Sequence, residues 1–139
     1  VNNTTYQTAE SLLGKIDPEL FHTCDANSQA GYDAIKSWFQ HTASRPDALF
    51  VNHDVVMRGA LIALLELGIS IPQDMALITH ANRGESYPFQ RPLTRVEMDP
   101  AALSNALLNT LRRGSIRQRT GRLFPEQHQK PRLVLGAST

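Results

Sequence analysis

Short apolar runs alternate with apolar stripes of helical period along this chain, and this alternation predicts a sheet flanked by helices. The strand candidates are residues 20–24, 48–51, 75–79 and 93–98, with two shorter ones around 123–124 and 133–135. The helix candidates are residues 4–13, a stretch that follows Asn27, residues 54–67 and a stretch that begins at Pro100. Strands that alternate with helices of three or four turns predict an α/β fold with a mainly parallel sheet.

The strand candidate at residues 48–51 indicates that helices cover both faces of the sheet. Its four residues, Ala48, Leu49, Phe50 and Val51, are all apolar, so neither face of this strand suits water. We therefore expect a three-layer αβα architecture. The chain has 139 residues, of which 41% are hydrophobic, and this is enough for one domain with its own core.

Residues with strong capping preferences mark the expected helix ends. Asn27 is predicted to cap the helix that follows it, and Asp54 the helix at 54–67, because both side chains accept bonds from free backbone N–H groups. Gly68 stands where that helix should end. Asp99 followed by Pro100 gives the last long helix a cap and a proline at its first position.

Polar and ionisable residues follow three of the predicted strands, at 22–25, 52–54 and 79–83. Ligands of parallel α/β sheets bind outside the carboxyl ends of the strands, so these residues are predicted to meet in one crevice. The candidate ligand-binding residues are Asp25, His53, Asp54, His80, Asn82 and Arg83. Helix capping alone accounts for Asp54, but it does not account for His53 or for the polar residues at the other two strand ends.

Two chemical alternatives use the same residues. His22, Cys24, His53 and His80 are acceptable zinc ligands, but their spacing matches no established metal motif and no second thiol is available. A hydrolase would need Cys24 or a serine as nucleophile with His53 or His80 as base, and the chain has no GxSxG motif. We therefore expect no catalytic residue, no metal and no cofactor.

An arginine-rich stretch at 112–122 raises the question of nucleic acid. It contains no aromatic residue on which a base could stack, and its first arginines stand where the end of a helix favours cations. A solvated loop is the expected structure.

The helix candidate at 54–67 is apolar around nearly its whole circumference. Such a helix is buried on more than one side, and a symmetric dimer would cover the side that the sheet leaves free. The candidate dimer residues are Gly59, Leu61, Ile62 and Leu65. Burial under another part of the same chain is the alternative.

Charge and cysteine content narrow the location and the partners. The formal net charge of +1 points to no polyanionic partner, and the single cysteine, Cys24, suits a reducing compartment. No apolar stretch is long enough to span a bilayer, so we expect no membrane partner, and the reducing compartment that suits Cys24 leads us to expect a cytoplasmic protein. The chain begins at Val1 rather than at a methionine, and we expect a further N-terminal segment.

The order of these motifs resembles the effector-binding domain of the LacI/GalR family of bacterial transcription regulators. The stretch "RPDALFVNHDVVMRGALIALLELGISIPQDMALITHAN" is similar to the family pattern that runs from P-D-A-I-F through N-D to G-Y-D. "DPELFHTCDANSQAGYDAIKSWF", "RPLTRVEMDPAAL" and "PRLVLGAST" resemble three further segments of that domain. The resemblance covers most of the chain and is carried by the combination rather than by any single motif.

The resemblance implies a periplasmic-binding-protein-like fold, with residues of about 1–92 as the C-terminal subdomain and about 93–139 as the crossover and tail. It also implies a small-molecule effector of the sugar or sugar-derivative class, a homodimer, and contact with DNA only through an N-terminal helix-turn-helix domain outside this chain. A periplasmic-type solute-binding protein for transport shares the fold and is the alternative function.

Three positions of the resembling pocket depart from the family pattern. His53 stands where the family has Asn, Thr79-His80-Ala81 replaces G-Y-D, and Ala26 replaces an aromatic residue. The resemblance thus implies that a carboxylate is lost at Ala81. Because imidazoles and Arg83 remain, we expect a ligand that is more anionic than a typical sugar.

Overall fold

The computed structural model describes residues 4–41, 45–120 and 129–139. The helices are α1 (Thr4–Leu13), α2 (Ser28–His41), α3 (Asp54–Glu66) and α4 (Pro100–Thr120), with a 3-10 turn at Pro18–Leu20. The strands are β1 (Ala48–Val51), β2 (Ala76–Asn82), β3 (Thr94–Met98) and β4 (Arg132–Val134). Within these ranges, none of the helices combines the length and the apolar character that crossing a membrane requires.

The four strands form one sheet in the order β1-β2-β3-β4. β1, β2 and β3 run parallel, and β4 pairs antiparallel with β3. In the parallel ladders Val51 pairs with Thr79, and Asn82 pairs with Met98. The carboxyl ends of three neighbouring strands therefore share one edge. The prediction of an α/β fold with a mainly parallel sheet is confirmed.

The hydrophobic core lies between α3 and one face of the sheet, with α2 packed on α3. Alternate residues of β2, namely Leu77, Thr79 and Ala81, point to this face and are fully buried. α3 contributes the largest share of the core, including Met57, Leu61 and Leu64, each with at most 1% of its surface exposed. This packing fixes the start of α3 directly above the carboxyl end of β1.

Two glycines allow α2 and α3 to approach each other closely. A Cβ at Gly59 would overlap the backbone of Ser28, and one at Gly31 would overlap the carbonyl of Val56. The two helices also share a polar contact, in which Glu66 accepts a hydrogen bond from the Tyr32 hydroxyl at 2.6 Å. The glycines on both helices therefore pack against backbone, and α2 covers the side of α3 that carries Val56 and Gly59.

The opposite face of the sheet is only partly covered within the described residues. Phe50 of β1 is 49% exposed, and Ile78 of β2 is half-buried. α4 runs clear of the other helices and strands apart from marginal contact, and its leucines are exposed. Those leucines are Leu103, Leu107, Leu108 and Leu111. The covering of both faces that the apolar strand 48–51 predicts is thus seen on one face.

The final residues fasten the N-terminal ends of β2 and β3 with polar contacts. The Ser138 hydroxyl donates to the carbonyl of Leu77 at 2.6 Å and accepts from the Thr94 amide at 2.8 Å. Ser138 and Thr94 are both buried. Buried hydrogen bonds therefore hold the final residues against β2 and β3.

Several predicted ends are confirmed. Asn27 accepts from the Ala30 amide at 2.8 Å, and Asp99 accepts from the amides of Ala101 and Ala102 at 3.0 Å each. Gly68 follows the last turn of α3 with a φ of +69°, a value that glycine adopts without strain. The local chemistry of these residues was sufficient to place these ends.

Other predictions were wrong. Residues 21–24 are not a strand, because the chain leaves the Asp17-capped turn in extended form and a cavity of about 280 Å³ separates it from β1. The N-cap of α3 is His53, and Asp54 is the first residue of the helix. β2 continues to Asn82 instead of ending at Thr79, because β3 pairs with it from Ile78 to Asn82.

The arginine-rich stretch was also predicted wrongly as a loop. α4 continues to Thr120, because this stretch contains no proline and its arginines are good helix formers, which outweighs the cost of Gly114. Residues 121–122 of the stretch lie outside the described residues. The strand candidate at 123–124 lies outside the described residues. The candidate at 133–135 corresponds to β4, which is one residue displaced from the prediction.

Candidate functional site

The shared carboxyl edge of β1, β2 and β3 brings residues from three parts of the sequence together. β1 is followed directly by Asn52 and His53, β2 ends at Asn82, and β3 leads into Asp99. Since the strands are neighbours and parallel, their polar end residues lie in one row above the sheet. We call this row the polar edge, and it comprises His53, Asp54, Asn82, Arg83 and Asp99.

Asp54 lies at the centre of the polar edge. Its Oδ2 accepts a hydrogen bond from the Asn82 amide nitrogen at 3.2 Å, which joins the ends of β1 and β2. Its Oδ1 accepts from the backbone amide of Val55 at 2.8 Å. The Asp54 side chain is 18% exposed, so it reaches solvent and remains available to a further donor.

The orientation of His53 follows from the contacts of its Nδ1. This atom lies 3.2 Å from Oδ1 of Asp54 and 3.3 Å from the Val55 amide. The Val55 amide already has a shorter bond to the Asp54 carboxylate, so a protonated Nδ1 that donates to Asp54 satisfies all three groups. In that tautomer Nε2 is free to accept a hydrogen bond, on a ring that is about half exposed.

Arg83 and Asp99 form the second pair of the polar edge. Nη1 of Arg83 donates to Oδ2 of Asp99 at 2.8 Å, and the Arg83 amide donates to the carbonyl of Met98 at 2.7 Å. Hydrogen bonds from the Ala102 amide, and then from Arg83, lower the pKa of Asp99 below its ordinary value. The charge of Arg83 is therefore already engaged by a carboxylate, which leaves it less available to an anionic ligand.

The loop between β2 and β3 returns over α3. Glu85 forms an ion pair with Arg58, whose guanidinium also lies 5.9 Å from the centre of the Tyr87 ring. The Tyr87 hydroxyl donates to the carbonyl of His80 at 3.2 Å. Burial raises the pKa of Tyr87, so its hydroxyl stays protonated and keeps its role as donor.

Two predicted ligand residues lie apart from this group. His80 alternates with Thr79 and Ala81 along β2, so its side chain lies on the face of the sheet opposite α3, where it is half-buried. Asp25 is exposed in the turn before α2, and its backbone carbonyl accepts from the Asn27 amide. The structure therefore brings His53, Asp54, Asn82 and Arg83 together and leaves His80 and Asp25 at its margins.

A cavity of about 280 Å³ opens beside the polar edge, between residues 20–24, α2 and β1. Its floor is apolar and includes Phe21, Trp38 and Leu49. His53 lines it, and it is the one member of the polar edge that does so. The imidazole thus stands between a polar surface and an apolar recess.

The zinc and hydrolase alternatives find no geometric support. Among the described residues, no three side chains of the His, Cys, Asp and Glu types are grouped as a metal ion would require. His22 instead lies with its ring 4.6 Å from that of Trp38. Partial burial, and then the carboxylate of Asp25, raise the pKa of the Cys24 thiol, which disfavours the reactive thiolate.

The four predicted dimer residues divide into two pairs. Gly59 and Leu61 are buried inside the chain, Gly59 against α2 and Leu61 in the core. Ile62 and Leu65 are 48% and 55% exposed on the free side of α3. The surface that another subunit could contact is therefore limited to the second pair and its neighbours.

Sequence reasoning missed three of these residues as parts of the site. Asp99 was taken only as a helix cap, and neither Arg58 nor Glu85 was singled out. Asp99 could have been found, because it follows a strand in the same way as His53 and Asn82 do. The ion pair between Arg58 and Glu85 spans 27 residues of sequence, and no local pattern indicates it.

Both a protein family and individual proteins are similar to this chain in sequence. Residues 5–139 match the family of periplasmic binding protein-like domains. The HTH-type transcriptional repressor PurR of Klebsiella pneumoniae is 31% identical over 110 residues, which cover 79% of this chain and 31% of that repressor. The chain therefore spans about a third of the length of the curated relatives it matches.

Solved structures show the same fold. A LacI-family protein from Sanguibacter keddieii superposes with a TM-score of 0.79 at 24% identity, over 96% of this chain and 50% of that one. A sugar-binding LacI-family regulator from Escherichia coli, solved in complex with phosphate, superposes with a TM-score of 0.76 at 18% identity, over 96% of this chain and 47% of that one. At these identities the structures establish the fold alone.

Proposed function

Because the chain belongs to the periplasmic binding protein-like domain family, as the C-terminal part of a LacI-type effector-binding domain, we propose that it senses a small molecule for a DNA-binding regulator. The observation that carries this proposal is the polar edge, where Asp54 and Asn82 from two strands meet at the carboxyl end of the sheet. DNA contact belongs to a helix-turn-helix domain outside this chain. The protein acts in the cytoplasm and is not an enzyme.

The ligand is a small hydroxyl-rich molecule of the sugar or sugar-derivative class. Asp54 offers a partly exposed carboxylate, Asn82 an amide, and His53 a ring nitrogen that accepts a hydrogen bond, and such groups match vicinal hydroxyls. The bond between Arg83 and Asp99 argues for a neutral ligand and against the anionic one that the sequence suggested. The anionic ligand stays a prediction, and the binding experiment compares the two.

The binding experiment uses the protein at its full natural length, because a second lobe is expected to complete the cleft. Calorimetric titration with D-galactose, D-ribose, D-glucuronate and glucose 6-phosphate compares neutral sugars with anionic ones. Asp54→Asn removes the charge but keeps the hydrogen-bonding shape, and a lost charged hydrogen bond of about 1.5–3 kcal/mol should weaken binding at least roughly tenfold.

The matched control is Asp33→Asn, on the exposed surface of α2, where the carboxylate accepts a hydrogen bond from the Gln29 side chain at 2.9 Å. It should leave the affinity unchanged. If none of the four compounds binds, or if Asp54→Asn binds as tightly as the wild-type protein, the proposed ligand class is wrong. A clear preference for glucuronate or glucose 6-phosphate would favour the anionic ligand.

We also propose that the protein is a homodimer through Ile62 and Leu65 on the free side of α3. Half-exposed branched side chains next to each other on one helix are favourable contacts for a two-fold interface. Replacing both by aspartate should convert a dimer to a monomer in sedimentation velocity without unfolding it. Leu12→Asp in α1 is the control for a charge placed on another exposed leucine, and equal effects of both changes would refute the assignment.

The uncovered leucines of α4 support a division of the protein into two lobes. We propose that residues of about 1–92 form one lobe, and that the segment of about 93–139 contains a crossover whose helix α4 packs against the other lobe. Four exposed leucines on one helix are more apolar surface than a lone surface helix normally presents to water. Limited proteolysis should cut α4 in the isolated chain and spare it in the full-length protein.

A further inference from the structure

The loop at 83–89 follows the polar edge directly. Asn82, the last residue of β2, bonds to Asp54, and Arg83, the next residue, bonds to Asp99. Gly84 then turns the chain with a φ of +86°, and the Glu85 amide closes that turn on the carbonyl of Asn82 at 3.0 Å. Pairing with β3 holds the backbone of Asn82 and Arg83 on one side, and the loop that follows is the second constraint on the position of these two residues.

Arg58 supplies the contact between this loop and α3. Its guanidinium pairs with Glu85 and lies near the face of Tyr87, while the Tyr87 hydroxyl bonds back to the carbonyl of His80. One arginine thus binds two residues of the loop through two kinds of interaction, an ion pair and a cation–π contact. The turn at Gly84 lies between these contacts and the polar edge.

Arg58 lies on α3 between two groups of residues that the proposed function uses. Asp54, Arg58 and Ile62 are spaced four residues apart, so they follow one another along one side of the helix. The first belongs to the polar edge and the third to the exposed surface that the dimer proposal uses. A change in the loop would therefore act on the helix between these two regions.

The ion pair between Arg58 and Glu85 is partly exposed to solvent, so its effect on the position of the loop differs from its effect on the stability of the whole chain. The side chains of Arg58 and Glu85 are 40% and 32% exposed, and pairs with that much solvent contribute little to the free energy of unfolding. Tyr87 and Phe89 pack against the core, so the pair with Arg58 acts mainly on the exposed part of the loop around Glu85, which can open independently of the rest of the chain. The pair is thus suited to fixing the loop rather than to holding the fold together.

We propose that Arg58 is a positioning residue, which clamps the loop at 83–89 onto α3 and so holds Asn82 and Arg83 in the ligand-binding arrangement. Arg58 does not contact the ligand in this scheme. It acts through Glu85 and Tyr87. The statement about loop position stands on the contacts alone, whereas its consequence for ligand affinity rests on the proposed function.

Hydrogen exchange of the loop amides tests the clamp without any ligand. In Arg58→Met the amides of Arg83 and Glu85 should exchange roughly tenfold faster or more, while the amides of the α3 core keep their rates. Arg58→Glu and Glu85→Arg should each loosen the loop, and the double variant with the charges exchanged should restore its protection. Restoration by the exchange is a result that a general loss of stability would not produce.

The matched control is Lys36→Met. Lys36 pairs with Glu66 at 3.1 Å between α2 and α3, at comparable exposure and away from the loop. It should leave the exchange of Arg83 and Glu85 unchanged. Unchanged loop exchange in Arg58→Met, or a charge exchange that fails to restore protection, would overturn the proposal.

The affinity measurement uses the same variants in the full-length protein with D-galactose and D-ribose. Arg58→Met should weaken binding roughly tenfold, and the charge-exchanged double variant should recover most of it. If the wild-type protein binds neither sugar, the proposal of a neutral ligand fails while the exchange data still decide the clamp. If binding is normal in a variant whose loop has loosened, the positioning role is wrong.

Discussion

α3 and α4 are both rich in leucine, yet they occupy opposite situations in this molecule. Leu61 and Leu64 of α3 are fully buried in the core, whereas Leu107 and Leu111 of α4 are more than half exposed. An apolar stripe therefore shows that a helix needs a partner, but it does not show whether the partner lies in the same chain. The difference between the two helices distinguishes the apolar surface that holds the described chain together from apolar surface that the described chain leaves uncovered.

The largest difference is expected between matched leucine truncations. Leu64→Ala should lower the free energy of unfolding by about 2–5 kcal/mol, because it leaves a cavity in a close-packed core. Leu107→Ala should change it by less than about 0.5 kcal/mol in the isolated chain, since a surface side chain loses little burial. Urea denaturation followed by circular dichroism measures both. Equal losses would mean that α4 packs in this chain as α3 does.

A smaller loss of stability is expected where α3 touches α2 through a glycine. Gly59→Ala should destabilise the chain by about 1–3 kcal/mol, the usual effect of overpacking, because the added methyl group meets the backbone of Ser28. Ser104→Ala on exposed α4 is the control, and its better helix propensity should leave stability equal or slightly higher. A stabilising Gly59→Ala would contradict the close approach of the two helices.

A similar loss of stability is expected when the Ser138 hydroxyl group is removed from the C-terminal tail. Ser138→Ala removes the partner of the Leu77 carbonyl and of the Thr94 amide, both in buried surroundings. The expected loss is about 1–3 kcal/mol in thermal or urea unfolding, the cost of buried polar groups left without a partner. Ser104→Ala again serves as control, and a loss no larger than its own would contradict the role of the tail.

The smallest expected effect is the pH dependence of stability that Asp99 contributes, between the end of β3 and the start of α4. The folded-state pKa of Asp99 lies below its ordinary value, so its stabilising contribution is complete above the unfolded-state pKa and is lost as the pH falls through the lowered value. Asp99→Asn should therefore reduce the loss of stability on acidification below about pH 4, near the ordinary value for aspartate. Melting temperatures of both proteins between pH 7 and pH 3 test this, and parallel curves would contradict it.

The residues of the polar edge show how far local sequence can reach. Polar residues directly after apolar strands were enough to predict His53, Asp54, Asn82 and Arg83 as neighbours, because parallel strands share a carboxyl edge. The same reasoning included His80 and Asp25 and was silent on Arg58 and Glu85. His80 was misplaced because β2 continues three residues further than its apolar run, which turned a residue beyond the strand into a residue on its far face.

The sequence by itself determined the α/β class, the parallel order of strands and helices, and most helix ends. These depend on interactions between residues a few positions apart, such as caps, glycine turns and apolar periodicity. Only the tertiary structure decided which apolar surfaces are covered, which carboxylate engages Arg83, and which loop Arg58 holds. These depend on contacts between residues 16 or more positions apart, and no local preference encodes them.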